Sequence, residues 1–200
     1  MQKQIGIFGK AKATVQKGFT LVELLLVIAV IGILSALATP FIRELLIEAR
    51  VEPTARDTTV VVNAMRAAAA TAGSGTPYVN LGAAAAATAN FANTARGRAT
   101  AMTVGGAGAT ATVQHTLGAT GAQIAVAQGT INLLGDSFTV TYPTVNKAAC
   151  PGLANQLAKQ AEVISVNGTA VKAAGGLYNG ATAENACVVG DANTYVFTFR

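Results

Sequence analysis

Few side chains in this sequence can do chemistry, and the most telling of them is Glu23. It is the only ionisable residue between Lys17 and Arg43, and the 19 residues from Leu24 to Ile42 carry no charge. A carboxylate at the edge of such a run needs a partner, because an acid at mid-membrane costs roughly 3 kcal/mol by insertion scales. Just upstream lies Gly18-Phe19, preceded by Lys3, Lys10, Lys12 and Lys17 and by no acid. A cut between Gly18 and Phe19 removes this basic leader and creates a terminal amine with a reference pKa of about 8. That amine and Glu23 are then the complementary charges of an otherwise apolar segment.

Three other residues are reactive by type. Cys150 and Cys187 are the only cysteines, and His115 is the only histidine. His115 sits in a Thr-rich stretch with no acid pair, serine elbow or metal cluster beside it, so catalysis finds no support. Gly106-Ala107-Gly108 has no clear strand before it and no Gly-Lys-Ser or Gly-Lys-Thr after it, which argues against a phosphate loop. No cofactor is expected, and no metal: two cysteines without paired histidines supply too few ligands.

The elements around Glu23 follow from the apolar run. At about 1.5 Å per residue, Leu24 to Ile42 is nearly long enough to cross a hydrocarbon core of about 30 Å. A secretory signal places its small-residue cut after the apolar core. Here the junction precedes it, so the apolar helix stays on the product. The lysines keep the leader on the cytoplasmic side, and the C-terminal part faces outward.

Lys17-Gly18-Phe19-Thr20-Leu21-Val22-Glu23, followed by Leu-Leu-Leu-Val-Ile-Ala-Val-Ile-Gly-Ile-Leu, resembles the processing site and helix of type IV pilins. The pseudopilins of type II secretion are close relatives and share it. The likeness covers residues 17–42, and beyond them the chain is similar in layout only. It implies that a prepilin peptidase cuts after Gly18 and methylates the new amino terminus of Phe19. Glu23 then stands where the family carries its signature acid, facing the amine of an axially staggered neighbour. Pro40 falls where many members have a helix proline, and the stretch from Gly32 to Pro40 is one that loses helical bonding on assembly.

The implied fold is α+β: a type IV pilin fold, with a long N-terminal helix whose first half spans the membrane and whose second half packs on an antiparallel β-sheet head. The implied partners are identical subunits in a helical filament, the prepilin peptidase, the membrane and the inner-membrane assembly machinery. The implied location is the bacterial inner membrane for the precursor and then an extracellular pilus. A leader of 18 residues and a disulfide-bounded C-terminal region lean toward the type IVb subgroup, whereas Phe19 at the cut is commoner in type IVa. Two other readings stay open: a pseudopilin of a short periplasmic fibre, and a membrane-tethered adhesin that never polymerises.

The expected organisation is a leader (1–18), a hydrophobic helix (19–42), its amphipathic continuation (43–72) and a head (73–200) containing the cysteine-bounded region (150–187). Charges return after Ile42, and Glu52 and Arg56 have the i,i+4 spacing that favours helix. The helix is predicted to end near Ala72, at Gly73-Ser74-Gly75-Thr76-Pro77. Pro40 and Pro53 each remove a backbone donor and should kink it, and Gly32 is a further weak point. Gly32 with Ala36, and Ser35 with Thr39, are small-residue pairs that let helices approach closely.

Tyr78 to Gly108 reads as a partly irregular connection with a short helix at Ala83–Ala87. Strands are predicted over 110–116, 123–127, 130–134 and 137–142, with Gly135-Asp136 as a tight turn. A short helix is expected over 153–161, then a hairpin of 163–166 and 169–172 about Asn167-Gly168. Asn167-Gly168-Thr169 also matches a glycosylation acceptor, but the turn explains it. Tyr195, Phe197 and Phe199 alternate in a last strand that belongs inside the sheet.

Charge narrows the partners. There are 14 basic and 9 acidic residues, and four of the basic ones lie in the leader, which leaves ten against nine. No basic stripe survives, so nucleic-acid binding is not expected. A head outside the cytoplasm meets an oxidising compartment, where a single Cys150–Cys187 bridge is the simple reading and two free buried thiols the other. The enclosed loop of 36 residues makes such a bridge worth roughly 3–4 kcal/mol by loop-closure entropy.

Overall fold

Residues 21–70 contain no glycine except Gly32 and long runs of Leu, Ile, Val and Ala, and they form one helix, α1 (Leu21–Ala70). Its 50 residues correspond to about 75 Å of rise. The helix continues through Gly32, Pro40 and Pro53. The two prolines lack the N–H that would reach the carbonyls of Ala36 and Ala49. In this computed structural model residues 18–70 and 75–200 are described. The leader up to Lys17 and the expected helix stop at Gly73-Ser74 lie outside them. The chain divides into two compact units, Met1–Pro40 and Phe41–Arg200.

Within the second unit α1 is two-faced. Ile47, Val51, Thr54, Ala55, Thr58, Val61, Val62 and Met65 are buried, at the three- and four-residue spacing of a helix stripe. They lie against an antiparallel sheet of order β3-β4-β7-β5-β6, formed by β3 (Ala125–Thr130), β4 (Leu134–Val145), β5 (Val163–Val166), β6 (Thr169–Lys172) and β7 (Asn193–Phe199). β7 takes the centre, with Val140 opposite Phe197 and Tyr142 opposite Tyr195 on one side and Val163 opposite Thr198 on the other. Tyr195, Phe197 and Phe199 are fully buried, as the period-two pattern requires. The hydroxyls of Thr58 and Tyr142 meet at 2.5 Å, and the Arg66 guanidinium lies 5.8 Å from the Phe199 ring centre. These contacts seat the second half of α1 on the sheet.

The connection after α1 is more ordered than expected. The short helix expected at Ala83–Ala87 is the start of a longer one, α2 (Ala84–Ala95), whose Ala87, Ala89, Phe91, Ala92 and Ala95 are buried. The Thr88 hydroxyl accepts from Val126 N–H at 2.9 Å and donates to its carbonyl at 3.3 Å, so α2 occupies the open edge of β3. Asp57 of α1 accepts from the N–H groups of Thr100 and Ala101 at 2.5 and 2.6 Å. Arg56 is drawn to Asp57 and to the Thr100 hydroxyl, and the expected Glu52–Arg56 pair does not form. A small second sheet pairs β1 (Thr103–Gly105) with β2 (Thr112–Gln114).

The strand reading needs two corrections. The expected strand over 130–134 is the end of β3, a turn, and the start of β4. The turn is not at Gly135-Asp136: the Asp136 carboxylate gathers the N–H groups of Ile131, Asn132 and Leu133 and so places it at 131–133. Burial pushes this acid up, but those three donors outweigh burial and hold it at about 2. The helix expected over 153–161 is shorter, α3 (Gly152–Leu157), and a further helix, α4 (Gly180–Ala186), precedes Cys187. The hairpin is as expected: Asn167 and Gly168 have φ of 51° and 81°, the left-handed pair that a two-residue turn requires.

His115 is buried rather than reactive. Its Nε2–H donates to the Pro143 carbonyl at 2.8 Å, and its Nδ1 accepts from Leu117 N–H at 3.3 Å. Pro143 and Thr144 form an irregularity in β4, and Gly118 lies so close that a Cβ there would sit 1.9 Å from the Thr144 carbonyl oxygen. Burial lowers the His115 pKa from its ordinary 6.5, against a smaller opposite pull from Pro143. The unfolded imidazole therefore takes up a proton at a pH where the folded one does not. Stability is full above the ordinary value and falls as pH drops from it toward the folded pKa. Urea unfolding followed between about pH 5 and 8 should show this loss in the head, and His115→Gln should flatten it. An equal slope in the variant would show that His115 contributes none of it.

Candidate functional site

Thr20 and Glu23 open α1 with a reciprocal cap. The Thr20 N–H and hydroxyl both donate to Glu23 Oε2 at 2.9 Å, and the Glu23 N–H donates to the Thr20 hydroxyl at 3.2 Å. This is the Thr-x-x-Glu capping box, which satisfies donors that the first helical turn leaves open. The acid also faces the positive end of the helix dipole. Glu23 Oε1 has no partner among the described residues. Gly18 and Phe19 precede the cap in non-helical backbone, and Phe19 is 88% exposed. The Gly18-Phe19 junction and the acid are thus placed together by one turn of chain.

From Phe19 to Leu46 every residue is exposed, and Ile47 is the first buried one. Leu24, Ile28, Ile31, Leu34 and Leu37 lie bare along the helix. By length and composition this part of α1 is able to cross a membrane. Thr39 donates its hydroxyl to the Ser35 carbonyl at 2.8 Å, beside the Ala36 carbonyl that Pro40 leaves without its helical donor. The expected small-residue sites and Pro40 therefore sit together on the bare part of the helix, whereas Pro53 lies half-buried beyond Ile47.

At the other end of the chain, Cys150 and Cys187 are disulfide-bonded and no free cysteine remains. The Tyr195 hydroxyl donates to Cys150 Sγ, which fixes the bridge to the central strand. Asn193, fully buried beside it, bonds four groups. Its amide nitrogen donates to the Val145 and Val188 carbonyls, and its Oδ1 accepts from Val188 N–H and from the Asn167 side chain. One residue thereby joins β4, the hairpin turn and the segment after Cys187. The Asn167 amide nitrogen is engaged in this network and with the Ala186 carbonyl. Near the start of the second unit, Arg43 pairs with Asp191 at 2.5 Å, and Asn146 donates to the same carboxylate at 2.6 Å.

Known families match both ends of this arrangement. The prokaryotic N-terminal methylation motif matches residues 14–39, across the cut, the cap and the bare helix. The family described as PilS N terminal matches residues 119–200, which hold the five-stranded sheet and the disulfide. Over these two stretches the chain is similar to the type IV pilins. A crystal structure of a type IV b pilin from Salmonella typhi is similar to this chain at 25% identity, over 56% of this chain and 80% of that one, with a TM-score of 0.46.

The bridge closes a segment that holds α3, the β5–β6 hairpin and α4. Replacing both cysteines, Cys150→Ser with Cys187→Ser, should lower head stability by about 3–4 kcal/mol. Denaturant unfolding of oxidised parent and variant measures this. A difference below about 1 kcal/mol would mean that the surrounding hydrogen bonds already hold the segment closed.

Proposed function

We propose that this chain is a structural subunit, not an enzyme, that polymerises through its apolar helix into a type IV pilus. A prepilin peptidase cuts after Gly18 and methylates Phe19, and residues 19–42 then leave the inner membrane for the filament core. Residues 43–72 carry the head, residues 73–200, to the fibre surface. The observation that supports this most is the bare helix surface from Phe19 to Leu46, with one acid capping its first turn beside the cut. Such a surface is covered by lipid in a monomer and by the same helix of other copies in a fibre. Gly32, Pro40 and Pro53 are the points at which the helix yields as subunits pack.

In this mechanism the methylated amine of an incoming subunit meets Glu23 of a neighbour. Thr20 holds Glu23 Oε2 within its own chain, and Oε1 is the oxygen presented outward. Removing one partner of a buried ion pair costs roughly 3–5 kcal/mol. The cap complicates a simple deletion, since Glu23→Val removes both the charge and the helix start. Glu23→Gln separates them, because glutamine serves the same capping role without charge.

Fibres sheared from cells expressing each form give the test. The parent should yield fibres whose subunit begins at methylated Phe19, with the two thiol hydrogens missing. Both Glu23→Val and Glu23→Gln should leave the protein in membranes and reduce fibres at least about tenfold, a 1.4 kcal/mol effect or more. Parent-like fibres from Glu23→Gln would reduce Glu23 to a helix cap. Parent chains found only in membranes would indicate a tethered adhesin, and only short periplasmic fibres a pseudopilin.

A further inference from the structure

Just beyond Pro40, Leu45 and Ala49 are exposed on the side of α1 away from the buried Ile47, Val51 and Ala55, and Phe41, Glu48 and Glu52 are exposed along the flank beside that buried stripe. Glu44, Glu48 and Glu52 recur at every fourth residue. None of them joins an ion pair or hydrogen bond among the described residues. Like charges at that spacing repel along a helix, and the nearby Arg43 is held by Asp191. Glu48 and Glu52 also wall an open groove of about 690 Å³, shared with Pro151, Asn155 and Tyr178.

The complementary charge lies elsewhere on the same chain. Arg96 and Arg98 are exposed in the turn that follows α2, and each bonds only a backbone carbonyl, of Gly106 and of Thr94. Arg56 joins this turn through the Thr100 hydroxyl. Asp57, buried, pairs with Arg56, and its bonds to Thr100 and Ala101 pin the turn at the level of residues 56–57. Glu52 stands four residues before Arg56, about 6 Å of helix rise. An axial offset of four residues between copies therefore brings Glu52 of one to the level of Arg56 of the other.

We propose that the Glu44–Glu48–Glu52 face of α1 docks on the Arg56–Arg96–Arg98 turn of a second copy of this chain. The proposal rests on the pilus reading and adds to it a head-level contact, distinct from the pairing at Glu23. Exposed charges of this kind set orientation and register more than affinity. In a fibre they would select one helical stagger among the many that an apolar rod allows.

A charge swap in the full-length protein tests it. Glu48→Arg with Glu52→Arg should lower the sheared-fibre fraction roughly tenfold, with processed, oxidised protein still present in membranes. Adding Arg96→Glu and Arg98→Glu to the same chain should restore fibres to within about threefold of the parent. The milder Glu48→Gln with Glu52→Gln covers the case in which reversal impairs folding, and its fibres should come apart at lower salt than the parent's. Undiminished fibres in the reversed form, loss that the swap does not rescue, or parent-like salt resistance of the Gln form would each overturn the proposal. Absence of fibres from the parent would instead overturn the pilus reading beneath it.

Discussion

The whole arrangement turns on one helix that must satisfy two different surroundings. From Leu21 to Leu46 α1 presents apolar side chains that no described residue buries, and from Ile47 onward its inner stripe is buried against the sheet. The hydrophobic effect acts on both halves, but only the second is satisfied within the molecule. The first has to find lipid or other helices. Glu23 makes that choice specific. An apolar rod slides freely past another, whereas a rod with one acid near its end has a preferred offset wherever a cation can meet that acid.

The head is built to hold its end of α1 firmly despite a modest core. Its packing combines a ladder of aromatic side chains on β4 and β7 with a few buried polar groups, each given partners. Asp57 pins the turn after α2, Asp136 closes the β3–β4 turn, and Asn193 bonds three separate segments. Buried groups satisfied in this way specify one arrangement, because any other leaves them unpaired. The cystine and the Tyr195 hydroxyl do the same for the segment before β7.

What could be read in advance followed the strength of the periodic signals. The apolar run, the acid beside Gly18-Phe19, the Asn167-Gly168 hairpin and the alternating Tyr195, Phe197 and Phe199 each carry their own local physics. The Thr20–Glu23 capping box is also legible as Thr-x-x-Glu before an apolar run. The Ala- and Thr-rich stretch around α2 was harder, since alanine marks helix weakly once threonine and asparagine interrupt it. The turn at 131–133 depends on the Asp136 side chain reaching back, and Arg56 leaves Glu52 for a buried acid brought close only by folding. Such contacts are set by tertiary placement, which residue spacing does not encode.

The position of β7 has a consequence for how the molecule is made. Residues 193–199 follow every other described element, yet they lie at the middle of the sheet, between β4 and β5. Until they emerge, those two strands have no common neighbour and the aromatic layer lacks three of its rings. Synthesis from the amino end therefore delivers the keystone after the stones that lean on it, and the head stays unfinished until this closing segment is available.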